Sequence, residues 1–270
     1  LQQDIEKRKA ISETLESFGL KFDFIDAVYG KELSEDVISI IRDKSTGSIT
    51  RRGFSATPGE IGCTLSHLKV YQSILDNNID WACILEDDAI LDERFETFIR
   101  TFQATELDST SLYLLGGQNG LSEDRIVKSI KNTKTIGGQV FSKTIRSEGI
   151  IYRTCCYLMS SFLAEKLIVL SQAKFILADD WNYLVKNDVI KKIYLSDFVD
   201  HPLDLSNSLL EKERELAALN KVSSNTYREV SFPSRVKGAI KSRLRLPVLK
   251  VYRYIAVSYT HLTLPTTPYV

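Results

Sequence analysis

Apolar positions along this chain recur with two periods, one helical and one extended, and together they predict an alternation of helices and strands. Over residues 4 to 18, Ile5, Ala10, Ile11, Leu15 and Phe18 stand among charged residues at roughly helical spacing, and Gly19 supplies a stop. Lys21-Phe22-Asp23-Phe24-Ile25 alternates polar and apolar residues, as a short half-buried strand would. Ser34 heads a predicted helix to about Arg42, with Asp36 near its positive end. Residues 43 to 57 are polar and loop-like. Thr57-Pro58-Gly59-Glu60 then combines a Thr cap, Pro at the first helical position and Glu three residues after the Thr. It opens a helix to about Leu75, with Ile61, Leu65, Leu68 and Ile74 turned inward.

Trp81 to Leu85 is an unbroken apolar run of strand length, the pattern of a strand covered on both faces. Leu112 to Leu115 and Cys155 to Met159 repeat it, and Ile190 to Leu195 supplies a last candidate. Helical patterning returns at Glu93 to Phe102 and at Phe162 to Leu170. Residues 118 to 150, polar and carrying Gly137-Gly138, read as a flexible excursion. The expected fold is α/β, a mostly parallel central sheet flanked by helices.

Composition adds bounds. The 270 residues are 43% hydrophobic and 26% charged, enough for one sizeable core. Lys plus Arg and Asp plus Glu each number 35, so net charge selects no partner. The predicted division is a domain over 1–228, a basic segment over 229–256 and a tail over 257–270. The tail from Val257 to Thr267 resembles translated sequencing adapter and is set aside from the fold. Because the chain opens at Leu1 directly in a helical pattern, a preceding first strand is expected to be missing. The cysteines, Cys63, Cys83, Cys155 and Cys156, lack paired zinc-site spacings and read as buried thiols of a reducing compartment. No apolar stretch is long enough to span a bilayer.

The densest chemistry is Glu86-Asp87-Asp88, emerging where the apolar run 81–85 ends. Ligands of open α/β sheets gather at the carboxyl ends of strands. Adjacent carboxylates repel, and a hard divalent cation, Mn²⁺ or Mg²⁺, would compensate them while engaging a substrate diphosphate. Strand alternation puts Glu86 and Asp88 on one side and Asp87 on the other, a division that gives Asp88 the metal and lets its neighbours orient the nucleotide or the ligands. A solvated acidic turn capping the next helix is the competing reading; the buried strand before it favours the metal. Glu60, Ser66 and His67 could line a pocket mouth, although Glu60 also suits the capping box and His67 a structural hydrogen bond. Asp179 or Asp180 could be a general base, or cap a helix whose Trp181 is buried.

These segments together resemble glycosyltransferase family 25, the lipooligosaccharide galactosyltransferase type, over roughly residues 4 to 210. The resemblance is carried by Arg8 with its helix, Phe22 to Gly30, Gly59 to His67 and Leu85 to Ala89; it continues more weakly through Tyr157 to Ser160, Asp179-Asp180-Trp181 and His201-Pro202. It implies a glycosyltransferase A-type fold and inverting transfer from a UDP-sugar, with galactose favoured, to a glycolipid or oligosaccharide acceptor such as lipopolysaccharide. It also implies donor-site roles for Arg8, Glu60, Ser66, His67 and Asp87, metal ligation by Glu86 and Asp88, and a base at Asp179 or Asp180. Two other classes remain open. A non-catalytic adhesion or scaffold module would keep the fold without the chemistry, and a metal-dependent phosphohydrolase would need more His or acidic ligands.

Residues 235–253 interleave Arg235, Lys237, Lys241, Arg243, Arg245, Lys250 and Arg253 with Ile240, Leu244, Leu246, Val248 and Leu249. This pattern fits either an anionic membrane surface, with a peripheral cytoplasmic location, or a solvated basic helix packed on the domain; no motif supports nucleic acid. On the membrane reading, binding to anionic liposomes is expected to weaken as salt rises, because exposed attraction is screened. Cosedimentation that is absent, or indifferent to salt, would remove it.

Overall fold

The strand Trp81–Glu86 (β2) is buried at every position, and its alternation feeds two cores at once. Trp81, Cys83 and Leu85 belong to one apolar cluster; Ala82 and Ile84 belong to the other. This is how an unbroken apolar run is satisfied in a sheet sandwiched between helical layers. The computed structural model describes residues 5–204, 209–225 and 260–265; the basic segment 229–256 lies outside them.

In chain order the elements are α1 (Ile5–Ser17), β1 (Asp23–Asp26), α2 (Glu35–Lys44), α3 (Ser48–Arg52), α4 (Pro58–Asp76), β2, α5 (Glu93–Thr101), β3 (Ser111–Gly116), β4 (Lys128–Ile136), β5 (Gln139–Thr144), β6 (Cys156–Ser160), α6 (Ser161–Ala173), α7 (Trp181–Lys186), β7 (Lys192–Val199), α8 (Leu209–Asn225) and β8 (Thr260–Pro265). On one face of the sheet Ile11 and Leu15 of α1 and Phe95 and Phe98 of α5 pack with Tyr113, Phe141 and Phe198. On the other, Val70, Tyr71 and Ile74 of α4, Leu163 of α6 and Trp181 of α7 pack with Leu112, Tyr157 and Ile193.

The eight strands form one mixed sheet in the order β1-β8-β2-β6-β3-β7-β5-β4. The α/β layering agrees with expectation, but the sheet is not mostly parallel: β3 and β7 are the parallel pair, and the other pairings are antiparallel. Burial on both faces reports coverage and leaves direction open. Since β6 is antiparallel to both β2 and β3, the strands β2, β3 and β7 run one way with β6 reversed among them. Their carboxyl ends and the start of β6 therefore meet at one edge.

Two segments read as irregular are ordered elements. Residues 118–150 contain the β4–β5 hairpin, which turns at Gly137-Gly138 and buries Ile136 and Phe141. Residues 43–57 contain α3, capped at its end by left-handed Gly53. Residues 260–265, set aside as adapter-like, pair as β8 between β1 and β2, antiparallel to both. The capping box is present as expected: Thr57 accepts from the Glu60 backbone N–H, and Glu60 accepts from that of Thr57. The four cysteines are buried free thiols. No helix among the described residues is long and apolar enough to cross a membrane.

The segment after β1 lies on the first turns of α4, and glycine makes the approach possible. A Cβ on Gly30 would fall 1.7 Å from the Pro58 carbonyl oxygen, and one on Gly62 2.6 Å from that of Val28. Gly30→Ala is expected to destabilise by about 2 kcal/mol or more, through backbone displacement. Gly138→Ala meets nothing within 4 Å and has a φ of +77°, so it should cost about 1 kcal/mol of backbone strain. Urea denaturation of the two variants tests the ranking, and equal losses would contradict it.

Candidate active site at the carboxyl edge of the sheet

Glu86 ends β2 fully buried, and Asp87 and Asp88 follow in the turn. Burial first, and then the charge of Asp88, push the Glu86 carboxyl well above the usual carboxylate range. Its Oε1 accepts a short hydrogen bond from the Thr154 hydroxyl and lies 3.5 Å from His67 Nε2. Behind it, His67 Nδ1 meets the Tyr157 hydroxyl at 2.7 Å, and that hydroxyl meets Tyr71's at 3.0 Å. The carboxylate is thus propped from inside by a buried polar chain running between β6 and α4.

The end of β7 brings His201 to the same place. Oxygens of Glu86 and Asp88 and a ring nitrogen of His201 lie within 4.8 Å of one another. His201 Nδ1 is 2.8 Å from the Pro202 carbonyl, which can only accept, so Nδ1 carries the proton and Nε2 the lone pair. Burial, reinforced by the charge of Arg153, lowers the His201 pKa to about 4, which keeps the ring neutral at ordinary pH. Glu86 Oε2 and His201 Nε2 are buried without hydrogen-bond partners among the described residues. Two carboxylates and an imidazole oriented from behind by a carbonyl make a donor set that fits a divalent cation. Cys63, His67 and Glu86 form a second close group with soft-ligand character, sharing Glu86.

The two aspartates considered as base have different surroundings. Asp180 caps α7: it accepts from the Tyr183 N–H, from the Ser48 N–H at 2.5 Å, and from Arg51 at 3.4 Å. Asp179 is half-buried, and its Oδ2 accepts from the Arg153 N–H at 3.1 Å. Burial pushes its carboxyl above the ordinary value, partly offset by the charge of Arg214. Asp179 lines both a narrow crevice beside Arg153 and Thr154 and a cleft of about 650 Å³ whose walls include Arg51, Phe54, Tyr152 and Asn182.

The other residues expected at a donor site are dispersed. Arg8 lies on α1, paired with Asp26 at 3.1 Å and stacked over Phe24; its neighbour Lys7 is the residue 3.7 Å from Asp88. Ser66 donates to the Gly62 carbonyl and accepts from the Val28 N–H, fastening α4 to the segment after β1. Glu60 is held by Arg52 at 2.6 Å through both oxygens and by Arg214 at 2.7 Å, tying α3, α4 and α8 together. His67 joins the Glu86 network, and Asp87 is buried beside it. Thr154 and Arg153 were missed, since isolated polar residues before an apolar run carry no spacing signal. His201 entered only through the family resemblance, although a histidine directly after a strand end was a usable signal.

Known sequences place the chain in a family. The family described as glycosyltransferase family 25 (LPS biosynthesis protein) matches residues 1–182. The chain belongs to glycosyltransferase family 25. Among its relatives in that family, procollagen galactosyltransferase 1-B of Xenopus laevis is 26% identical over 60% of this chain and 26% of its own length. A glycosyltransferase 25 family member of Aedes aegypti is 29% identical over 62% of this chain and 26% of its own length. The lacto-N-neotetraose biosynthesis glycosyltransferase LgtE of Neisseria gonorrhoeae is 28% identical over 41% and 38% respectively. The chain thus spans about a quarter of the length of the two animal relatives. The family match runs through Glu86-Asp87-Asp88 and both aspartates at 179 and 180.

The Glu60 tie has a pH signature. Burial alone would raise its pKa, but the Arg52 hydrogen bonds and the charges of Arg214 and Arg52 bring it down to about 2, from 4.5. The unfolded chain therefore binds the proton first on acidification. The stabilisation, on the order of 3 kcal/mol, is complete above about pH 5 and lost as pH falls toward 2. Glu60→Gln should be less stable than wild type at pH 7 by about that amount, with the gap shrinking by pH 3. A gap in urea midpoints that is constant with pH would refute the ionic origin.

Proposed function

We propose that this chain carries the catalytic domain of a divalent-metal-dependent, inverting glycosyltransferase. It would move a sugar from a UDP-sugar to a glycan acceptor such as lipooligosaccharide or lipopolysaccharide. The observation that carries this reading is the convergence of Glu86, Asp88 and His201 at the sheet edge, with Asp179 on an adjoining cleft large enough for a sugar acceptor. Galactose as the donor sugar is supported by the procollagen galactosyltransferase among the relatives.

Glu86, Asp88 and His201 would hold the cation, Mn²⁺ suiting an imidazole-containing set better than Mg²⁺. When bound, it supplies positive charge opposite the leaving diphosphate. Thr154 and His67 fix the Glu86 carboxylate so that it need not reorganise during reaction. In the transfer, an acceptor hydroxyl oxygen bonds to the anomeric carbon as that carbon's bond to the diphosphate oxygen breaks, and the departing electron pair leaves with UDP. Asp179 takes the hydroxyl proton; a raised carboxyl pKa strengthens it as a base. One displacement from the face opposite the leaving group inverts the anomeric centre. Asp180 stays committed to the start of α7. The cytoplasmic face of a membrane would suit such an acceptor, with the basic segment as the contact.

Asp88→Asn should abolish Mn²⁺-dependent transfer while the circular dichroism spectrum is retained; near-normal turnover would remove the metal role. Asp179→Asn should lower kcat by about 10²–10⁴. Asp180→Asn should chiefly cost stability, about 1 kcal/mol from a weakened cap. If kcat fell for the 180 variant and not the 179 variant, the base would be misassigned.

A further inference from the structure

Arg153 brings a guanidinium to this edge that the transfer scheme leaves without a role. The residue is only 4% exposed, and its φ of +69° lies in the left-handed region, at a cost of roughly 1–2 kcal/mol for a residue with a side chain. Both sides of the residue are pinned. Its N–H donates to Asp179 Oδ2 at 3.1 Å, and its carbonyl accepts from Trp181 Nε1 at 3.2 Å. The side chain lines the narrow crevice with Thr154 and Asp179, immediately before β6.

The nitrogens of the guanidinium are unequally used. Nη1 donates to the carbonyls of Gly117 and Asn119, at 2.6 and 2.9 Å, in the loop that follows β3. Nε and Nη2 are buried with no hydrogen-bond partner among the described residues. They form one edge of the guanidinium, with N–H bonds that point the same way, and this fork matches two oxygens of a phosphate. Burial lowers the Arg153 pKa to about 10, with Cys155, Glu86 and Asp88 opposing the fall, so the group remains a cation at neutral pH. A buried cation with two idle donors is costly unless a ligand completes it. Glu86 and Asp88 are near enough for their charges to act on it, yet Arg153 makes no ion pair among the described residues.

We infer that Arg153 grips the donor's diphosphate, its Nε and Nη2 edge binding two phosphate oxygens of a nucleotide whose charge would also be met by the divalent cation that Glu86, Asp88 and His201 would hold. This rests on the reading of that cluster as a donor site. It gives the strained backbone a purpose, since the same residue orients Asp179 through its N–H and the leaving group through its side chain. No proton moves on Arg153; it stays a donor while negative charge grows on the departing diphosphate.

The test is calorimetric titration of the full chain with inorganic pyrophosphate, UDP and uridine, each with Mn²⁺ and again with EDTA. Arg153→Met should weaken pyrophosphate and UDP at least about ten-fold in both conditions and leave uridine unchanged. Arg153→Lys should recover only part of the loss, because an ammonium lacks the fork. Unchanged UDP and pyrophosphate affinity in Arg153→Met would overturn the inference. Should both variants fail to fold, the wild-type chain still decides: pyrophosphate with EDTA should raise its melting temperature above that in chloride of equal ionic strength, and no rise would overturn the inference. Intact Asp88-dependent transfer with Arg153-independent diphosphate binding would retire this inference alone. Arg153-dependent pyrophosphate binding without any sugar transfer would retire the transferase reading alone.

Discussion

A carboxylate buried at the end of a central strand is the constraint around which this molecule is organised. Glu86 is fully buried, and taking an ionised carboxylate from water costs several kcal/mol unless its charge is answered. The protein answers part of it with the Thr154 hydroxyl and with His67, itself held by Tyr157. The remaining oxygen, Oε2, has no hydrogen-bond partner among the described residues, and an oxygen of Glu86 lies close to Asp88 and His201. A stability-driven core would use an apolar residue here, so the expense makes sense for a site completed by a ligand.

Sheet topology delivers the other groups. Because β2, β3 and β7 share a direction and β6 runs back between them, one edge collects the turn after β2, the glycine loop after β3, Arg153 before β6 and His201 after β7. Hydrogen bonds then fasten these loops to each other: Arg153 to Gly117 and Asn119, Asn119 to Asp200 and to the His201 N–H, and Asp179 to the Arg153 N–H. Metal-type ligands, guanidinium and candidate base are thereby linked through a few loops borne on a rigid sheet, which suits chemistry that depends on fixed geometry. The Glu60 tie to Arg52 and Arg214 does the same for the cleft, joining α3, α4 and α8.

Segments that carry the family resemblance meet one another in the folded chain. Two of the segments that carry the family resemblance, Phe22 to Gly30 and Gly59 to His67, pack on one another with Gly30 against α4 and Val28 bonded to Ser66. That contact gives the glycines and the serine of these two distant segments a shared structural role. They shape the support behind the acidic turn.

Local pattern was enough to locate most of the elements. The capping box at Thr57 and Glu60, the buried strands at 81–85, 112–115 and 155–159, and the acidic turn at 86–88 each depend on neighbouring residues, so they could be read directly from the chain. Strand direction could not, because an apolar run looks the same whichever way it is traversed. Nor could the hairpin over 128–144, whose mostly exposed β4 has the polarity of a loop. The partners of Glu86 were decided only by tertiary structure: Thr154 lies 68 residues away, and His201 arrives on a different strand. Composition and periodicity therefore determined that the chain builds a covered sheet with acids at its edge. Which groups face those acids was settled by folding, since convergence of distant residues is a property of strand order and loop hydrogen bonding that no local window contains.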